Sequence, residues 1–166
     1  MNMFKAFLIK YAEIAIKGKN RHLFEDALVK QIRHALKKVE GEFRVTKDQG
    51  RIYVFCDSNY DYDEVINGLT KVFGIVGICP VVIHEMCEYE ELAEHVVKYV
   101  DDIYPDKNKT FKMNARRADK RYPMDSMELN RELGGAVLDA YPEMKVDVHN
   151  PDILLTVEIR NRIYLY

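Results

Sequence analysis

The chain has 166 residues, with 25 Lys and Arg against 27 Asp and Glu, a net charge of −2, 48% hydrophobic residues and 31% charged ones. That composition belongs to a globular chain rather than a disordered one. It excludes a uniformly basic nucleic-acid binder while leaving room for a local basic patch. No apolar run approaches the roughly 18 residues of a membrane span. Lys10 and Glu13 interrupt the N-terminal apolar stretch, so no signal peptide is expected. The three cysteines, Cys56, Cys79 and Cys87, include no Cys-x-x-Cys pair. A reduced cytoplasmic protein without disulfides or a zinc cage is the expectation.

In chain order, residues 3–9 read as a strand. A helix is predicted from Asn20 to about Val39, with Leu28, Ile32, Ala35, Leu36 and Val39 on one face and Gly41 ending it. Two strands, 42–46 and 51–55, flank the hairpin-turn chemistry of Lys47-Asp48-Gln49-Gly50. A helix over 61–71, with Val65, Ile66 and Leu69 inward, and a strand over 77–84 complete a βαββαβ order, that of the ferredoxin-like split unit. The second half is patterned differently. It predicts a helix over 88–103 (Leu92, Val96, Val100 and Ile103 inward), then a strand over 110–115 with Phe111, Met113 and Ala115 on one side. A helix over 126–141 follows, with Asp125 as N-cap, Glu128 completing a capping box and Leu129, Leu133, Ala136, Val137 and Ala140 buried. Strands over 153–159 and 163–166 join through a tight turn at 160–162. The expected fold class is α/β (α+β): a ferredoxin-like domain at 1–75 packed rigidly on a second α/β domain at 76–166.

Charge is uneven along this order. Residues 1–50 carry 11 basic and 6 acidic residues, residues 51–100 carry 3 and 9, and residues 101–166 carry 11 and 12. Two basic clusters stand out. The first runs from Lys10 through Lys17 and Lys19 to Asn20 and Arg21, where Gly18 frees the backbone and a helix N-terminus offers unpaired N–H groups to a phosphate. The second is Arg116-Arg117-Ala118-Asp119-Lys120-Arg121-Tyr122, with Lys112 upstream. Arginine forks suit phosphate oxygens, Tyr122 offers a stacking face for an unpaired base, and Asp119 is suited to orienting an arginine. Chemistry alone leaves open a solvated loop and a charged surface turn. Gly134-Gly135 inside a predicted helix implies either close packing on the sheet or close approach of an RNA backbone.

Catalytic signatures are absent from the sequence. It contains no phosphate loop, dinucleotide fingerprint, His-Glu-x-x-His or nucleophile elbow. His84 and Cys87 make a lone His-x-x-Cys pair, read as a surface histidine beside a semi-buried thiol rather than a metal site. The acids Glu88, Glu90 and Glu91 disfavour a Cys87 thiolate. No catalytic residue and no metal site are expected in this chain.

Read together, the motifs resemble a known family. The run Lys10-Tyr11-Ala12-Glu13-Ile14 to Lys17-Gly18-Lys19-Asn20-Arg21 and Phe24-Glu25 is similar to the N-terminal signature of the tRNA 4-thiouridine synthetases, or tRNA sulfurtransferases. Ala115 to Lys120, Gly134-Gly135, Lys145 to Val148, Asn150-Pro151-Asp152 and Val157 to Arg160 resemble the THUMP domain of that family. Ala12 departs from the glycine common there. The resemblance spans the whole chain.

It implies the tRNA-binding portion of an enzyme that makes 4-thiouridine at tRNA position 8 with ATP, Mg2+ and persulfide sulfur, and that supplies sulfur for the thiamine thiazole. It also implies binding of the tRNA acceptor stem and 3′ CCA end, a homodimer for the full-length enzyme, and a cysteine desulfurase as sulfur donor. The family continues into an ATP-pyrophosphatase domain, and in some members a rhodanese domain, which this chain is expected to lack; these residues alone are therefore expected to be non-catalytic. A stand-alone THUMP adaptor presenting tRNA to a separate enzyme is the alternative. The two basic clusters supply the candidate RNA-binding residues: Lys10, Lys17, Lys19, Asn20, Arg21, Lys112, Arg116, Arg117, Lys120, Arg121 and Tyr122.

Overall fold

The computed structural model describes residues 3–12, 20–48 and 50–166. It divides into two compact units, Met1–Val82 and Ile83–Tyr166. The division lies beyond the expected 75/76 boundary. The strand Ile75–His84 pairs along the first strand of the chain, so its residues up to Val81 are tied to the first unit.

The first unit contains β1 (Ala6–Tyr11), α1 (Asn20–Leu36), β2 (Phe43–Asp48), β3 (Arg51–Cys56), α2 (Tyr62–Thr70) and β4 (Ile75–His84). Its strands lie in the order β2-β3-β1-β4, and every pairing among them is antiparallel. Alternation along the strands sends Phe7, Ile9, Tyr11, Ile52, Val54 and Cys56 into one core. Leu28, Val29, Ile32 and Leu36 of α1 and Val65 and Leu69 of α2 meet them there. Asp61 caps α2, accepting the Glu64 N–H at 3.1 Å. Gly50, at φ +77, closes the β2–β3 hairpin where Asp48 faces Arg51. Only glycine adopts that backbone without strain.

The second unit contains α3 (Tyr89–Ile103), β5 (Thr110–Arg117), α4 (Ser126–Ala140), β6 (Lys145–Val146), β7 (Ile153–Ile159) and β8 (Ile163–Leu165). Its strand order is β8-β7-β5-β6, with β5 parallel to both β6 and β7 and β7 antiparallel to β8. Phe111, Met113 and Ala115 of β5 and Leu129, Leu133 and Val137 of α4 are buried. Each fully buried leucine contributes about 1.5–3 kcal/mol. Ala136 is half-buried and Ala140 is exposed, so the buried stripe of α4 is narrower than the sequence implies. Asp125 caps this helix, accepting the Glu128 N–H at 2.9 Å.

Most of the family-like motifs of this unit hold its backbone together. Asp152 accepts the Thr110 N–H (3.0 Å) and hydroxyl (3.2 Å), joining the starts of β5 and β7. Asp147 accepts the N–H groups of His149 and Asn150, both at 3.0 Å. These donors hold both carboxyls below the usual carboxylate range.

Neither helix glycine is forced by packing. A Cβ on Gly134 would meet Met113 Cγ at 3.6 Å, an ordinary contact, and one on Gly135 would meet nothing within 4 Å. Close packing therefore does not explain the pair. Gly135→Ala is expected to raise stability by about 0.5–1 kcal/mol. Thermal melts beside RNA titrations separate the two readings: a stabilised variant with reduced RNA affinity would show that the bare backbone serves the ligand.

Candidate nucleic-acid interface

The basic segment of the second unit begins inside β5 rather than after it. The strand runs through Arg117, with Arg116 opposite Glu158 and Arg117 opposite Ile159. Successive strand residues point to opposite faces, so Arg116 and Arg117 cannot act as a pair. Lys112, Asn114 and Arg116 share one face, and Phe111, Met113, Ala115 and Arg117 the other. Arg116 is exposed and Lys112 half-buried, and neither forms an ion pair with a described residue. Arg117 instead secures the following turn: its Nη1 donates to the Tyr122 carbonyl at 3.0 Å, and its backbone N–H donates to Ser126 Oγ at 3.2 Å.

Beyond β5 the chain folds onto β7, with the N–H groups of Ala118 and Asp119 both donating to the Ile159 carbonyl. Lys120 is exposed at this turn and makes no ion pair with a described residue. Asp119 does orient an arginine. Arg121 Nε donates to Oδ1 at 3.0 Å and Nη2 to Oδ2 at 2.8 Å, while the arginine side chain remains 90% exposed. The bidentate fork leaves Nη1 for an outside anion.

Asp119 is held down to about pKa 2, first by the Arg121 side chain and then by the Arg121 N–H. A carboxyl with a depressed folded pKa contributes stability that is complete above its unfolded value near 3.8 and is lost as pH falls through about 2. A carboxyl-detected NMR titration is expected to place Asp119 near 2. A midpoint close to 4 would mean that the fork does not persist in solution.

Tyr122 differs most from expectation. It is 6% exposed, and its hydroxyl is buried without a hydrogen-bond partner among the described residues. Burial, followed by nearby Cys87 and Glu90, raises it to about 12. A side chain so enclosed has no free face for stacking an incoming base. It instead forms part of the wall of a cavity of about 840 Å³, together with Cys87, Tyr89, Arg121, Pro123 and Asn161. This concavity is assembled from α3, the 118–123 turn and the β7–β8 turn. No local motif marks it, because the contributing segments are distant in sequence.

In the first unit Lys10 is exposed on β1 opposite Gly77 of β4, and Asn20 is exposed at the first residue of α1. Lys17 and Lys19 lie outside the described residues. Arg21 is occupied within the protein. Its Nη2 donates to the Gly50 carbonyl at 3.2 Å and the Tyr11 hydroxyl at 3.4 Å, and Nε lies 3.3 Å from buried Glu25. A Cβ on Gly50 would approach Arg21 Nη2 to 2.8 Å, so this clasp also depends on the glycine. Arg21 is thus a brace between α1 and the hairpin.

The described residues offer little for nucleophilic or metal chemistry. Burial pushes the Cys56 thiol up to about 12, and burial together with Glu91 raises Cys87. His84 stacks on His95 with ring centroids 3.7 Å apart. No group of three or more metal-ligating side chains occurs among the described residues, and no described helix is long and apolar enough to cross a membrane.

The chain is similar to known proteins along nearly all its length. Residues 6–79 match the ThiI ferredoxin-like domain and residues 88–166 the THUMP domain. A probable tRNA sulfurtransferase of Lachnospira eligens is 63% identical over 97% of this chain, and one of Agathobacter rectalis is 56% identical over 99%. The chain spans only 41% and 42% of those relatives' lengths. Among solved structures, a 4-thiouridine synthetase in complex with RNA and ATP superposes with a TM-score of 0.76 at 31% identity, over 98% of this chain and 40% of that one. The protein PH1313 of Pyrococcus horikoshii superposes with a TM-score of 0.75 at 30% identity, over 98% and 53%.

Proposed function

We infer the function from the family to which the chain belongs, the tRNA sulfurtransferases, whose ferredoxin-like and THUMP domains it carries. These residues are the tRNA-binding portion of a cytoplasmic enzyme that makes 4-thiouridine at position 8 of tRNA, holding the acceptor stem and 3′ CCA end. Adenylation with ATP and Mg2+ is assigned to the rest of the relatives' length. The contribution of this chain is to bind and orient RNA, and it is non-catalytic on its own. Persulfide sulfur from a cysteine desulfurase, a homodimeric parent enzyme and a supply of sulfur to thiamine thiazole synthesis belong to the same proposal.

The observation that carries the reading is the cationic end of β5. Arg116 and Lys120 are exposed without ion-pair partners among the described residues, and Arg121 is preoriented by Asp119. With half-buried Lys112 this makes four cations of the second unit available to phosphates, and exposed Lys10 is a further candidate on the first. Neutralising about five phosphates gives a slope of log K against log salt of roughly −3.5 to −4.5, between single-strand and duplex values. An anisotropy titration of tRNA at several salt concentrations tests this. A salt-independent affinity, or no binding at low salt, would overturn the reading.

A further inference from the structure

The first unit holds a groove that the RNA reading does not use. It runs between α1 and α2 as two adjoining cavities of about 550 and 370 Å³, which share His34, Ala35, Gly68 and Lys71. Its floor is apolar, made by Ala35, Val39 and Val72. Gly68 keeps the α2 wall low, since a Cβ there would extend to 3.7 Å from Val39 Cγ2. Phe73 stands at one end and is 90% exposed. Lys30, Lys38 and Lys71 are exposed on the rim, and none of them forms an ion pair with a described residue. Glu64 is the only acid among the described lining residues.

We propose that this groove docks an acidic amphipathic helix of a partner protein. An exposed phenylalanine and an aliphatic floor are stabilised by apolar side chains that displace water from them. A phosphate backbone brings no such groups and would leave the floor wet. The cationic rim excludes a basic partner and favours carboxylates beside the apolar stripe. Lys30, His34 and Lys38 recur every four residues, a rise of about 6 Å. Carboxylates at i and i+4 on a helix laid along α1 repeat at the same interval. An apolar core with a charged rim is the helix-in-groove mode of recognition.

The test titrates the 15N-labelled 166-residue chain with a synthetic 16-residue peptide carrying leucines at i, i+4 and i+7 and glutamates on both flanks. A second peptide has lysine for every glutamate, and a third ligand is a short RNA duplex. Saturable shifts confined to 30–39 and 64–73 are expected with the acidic peptide alone. The Lys30→Glu/Lys71→Glu double variant is expected to weaken them about tenfold or more. Its exposed sites leave the core untouched, and its unliganded spectrum verifies the fold. The proposal is overturned by no saturable shifts in those segments, by equal binding of the basic peptide, or by undiminished affinity in the double variant. It is also overturned if the RNA duplex perturbs the same residues, because the groove then belongs to nucleic acid.

Discussion

Replacing Arg116 and Lys120 together by glutamate is expected to weaken tRNA binding by about 3 kcal/mol or more at low salt, more than a hundredfold, without loss of fold. Each substitution removes a hydrogen bond between charged groups, worth about 1.5–3 kcal/mol, and each glutamate adds repulsion against phosphate. Both side chains are exposed and make no ion pair with a described residue, so little core depends on them. Arg117 is the internal contrast. It follows Arg116 directly but points to the other face and holds the Tyr122 carbonyl at 3.0 Å. Arg117→Ala is therefore expected to lower the melting temperature, through about 1–2 kcal/mol of hydrogen bonding, while RNA affinity falls mainly as far as the turn loosens. Anisotropy titrations and thermal melts on both variants form the measurement. Wild-type affinity in the Arg116/Lys120 variant would remove the end of β5 from the interface.

The contrast also marks what a sequence conveys. The capped helix α4 is legible because its signals are local: Asp125 and Glu128 lie within one turn, and Leu129, Leu133 and Val137 recur at helical spacing. Strand β6 is not legible. Its two residues, Lys145 and Val146, become a strand only by lying parallel to Thr110 and Phe111. The candidate site divides along the same line. Asp119 and Arg121, two residues apart, pair as their types imply. Arg21 reads as a phosphate ligand in sequence, yet the carbonyl of Gly50, 29 residues away, occupies it. Tyr122 reads as a stacking face because nothing local shows that its side chain is buried in the wall of a cavity shared with the distant Cys87 and Tyr89. Arg116 and Arg117, both read as phosphate ligands in one cluster, separate for a more elementary reason, since extending β5 by two residues puts them on opposite faces.

Glu158 offers the complementary test, of a charged residue within a family-like motif that acts on the fold. It is 3% exposed on β7, lies 3.7 Å from Arg160 Nε and accepts a hydrogen bond from the Tyr166 hydroxyl. Removing one partner of a buried pair leaves the other charged in a poorly solvated place, at a cost of about 3–5 kcal/mol. Glu158→Ala is expected near the lower end, because the Arg160 side chain keeps 12% of its surface in water. A loss of about 3 kcal/mol is a large part of an ordinary domain's stability and lowers the melting temperature by about 10 °C. Glu158→Gln retains the shape and an acceptor for Tyr166, so it is expected to recover part of the loss. Combining Glu158→Ala with Arg160→Ala is expected to cost less than the sum of the single changes, because either single change already breaks their shared contact. Chemical denaturation of the four variants reads these energies directly. An unchanged stability in Glu158→Ala, accompanied by weaker tRNA binding, would move Glu158 from the scaffold to the interface, where its position opposite Arg116 would then place it beside the phosphate-binding cations.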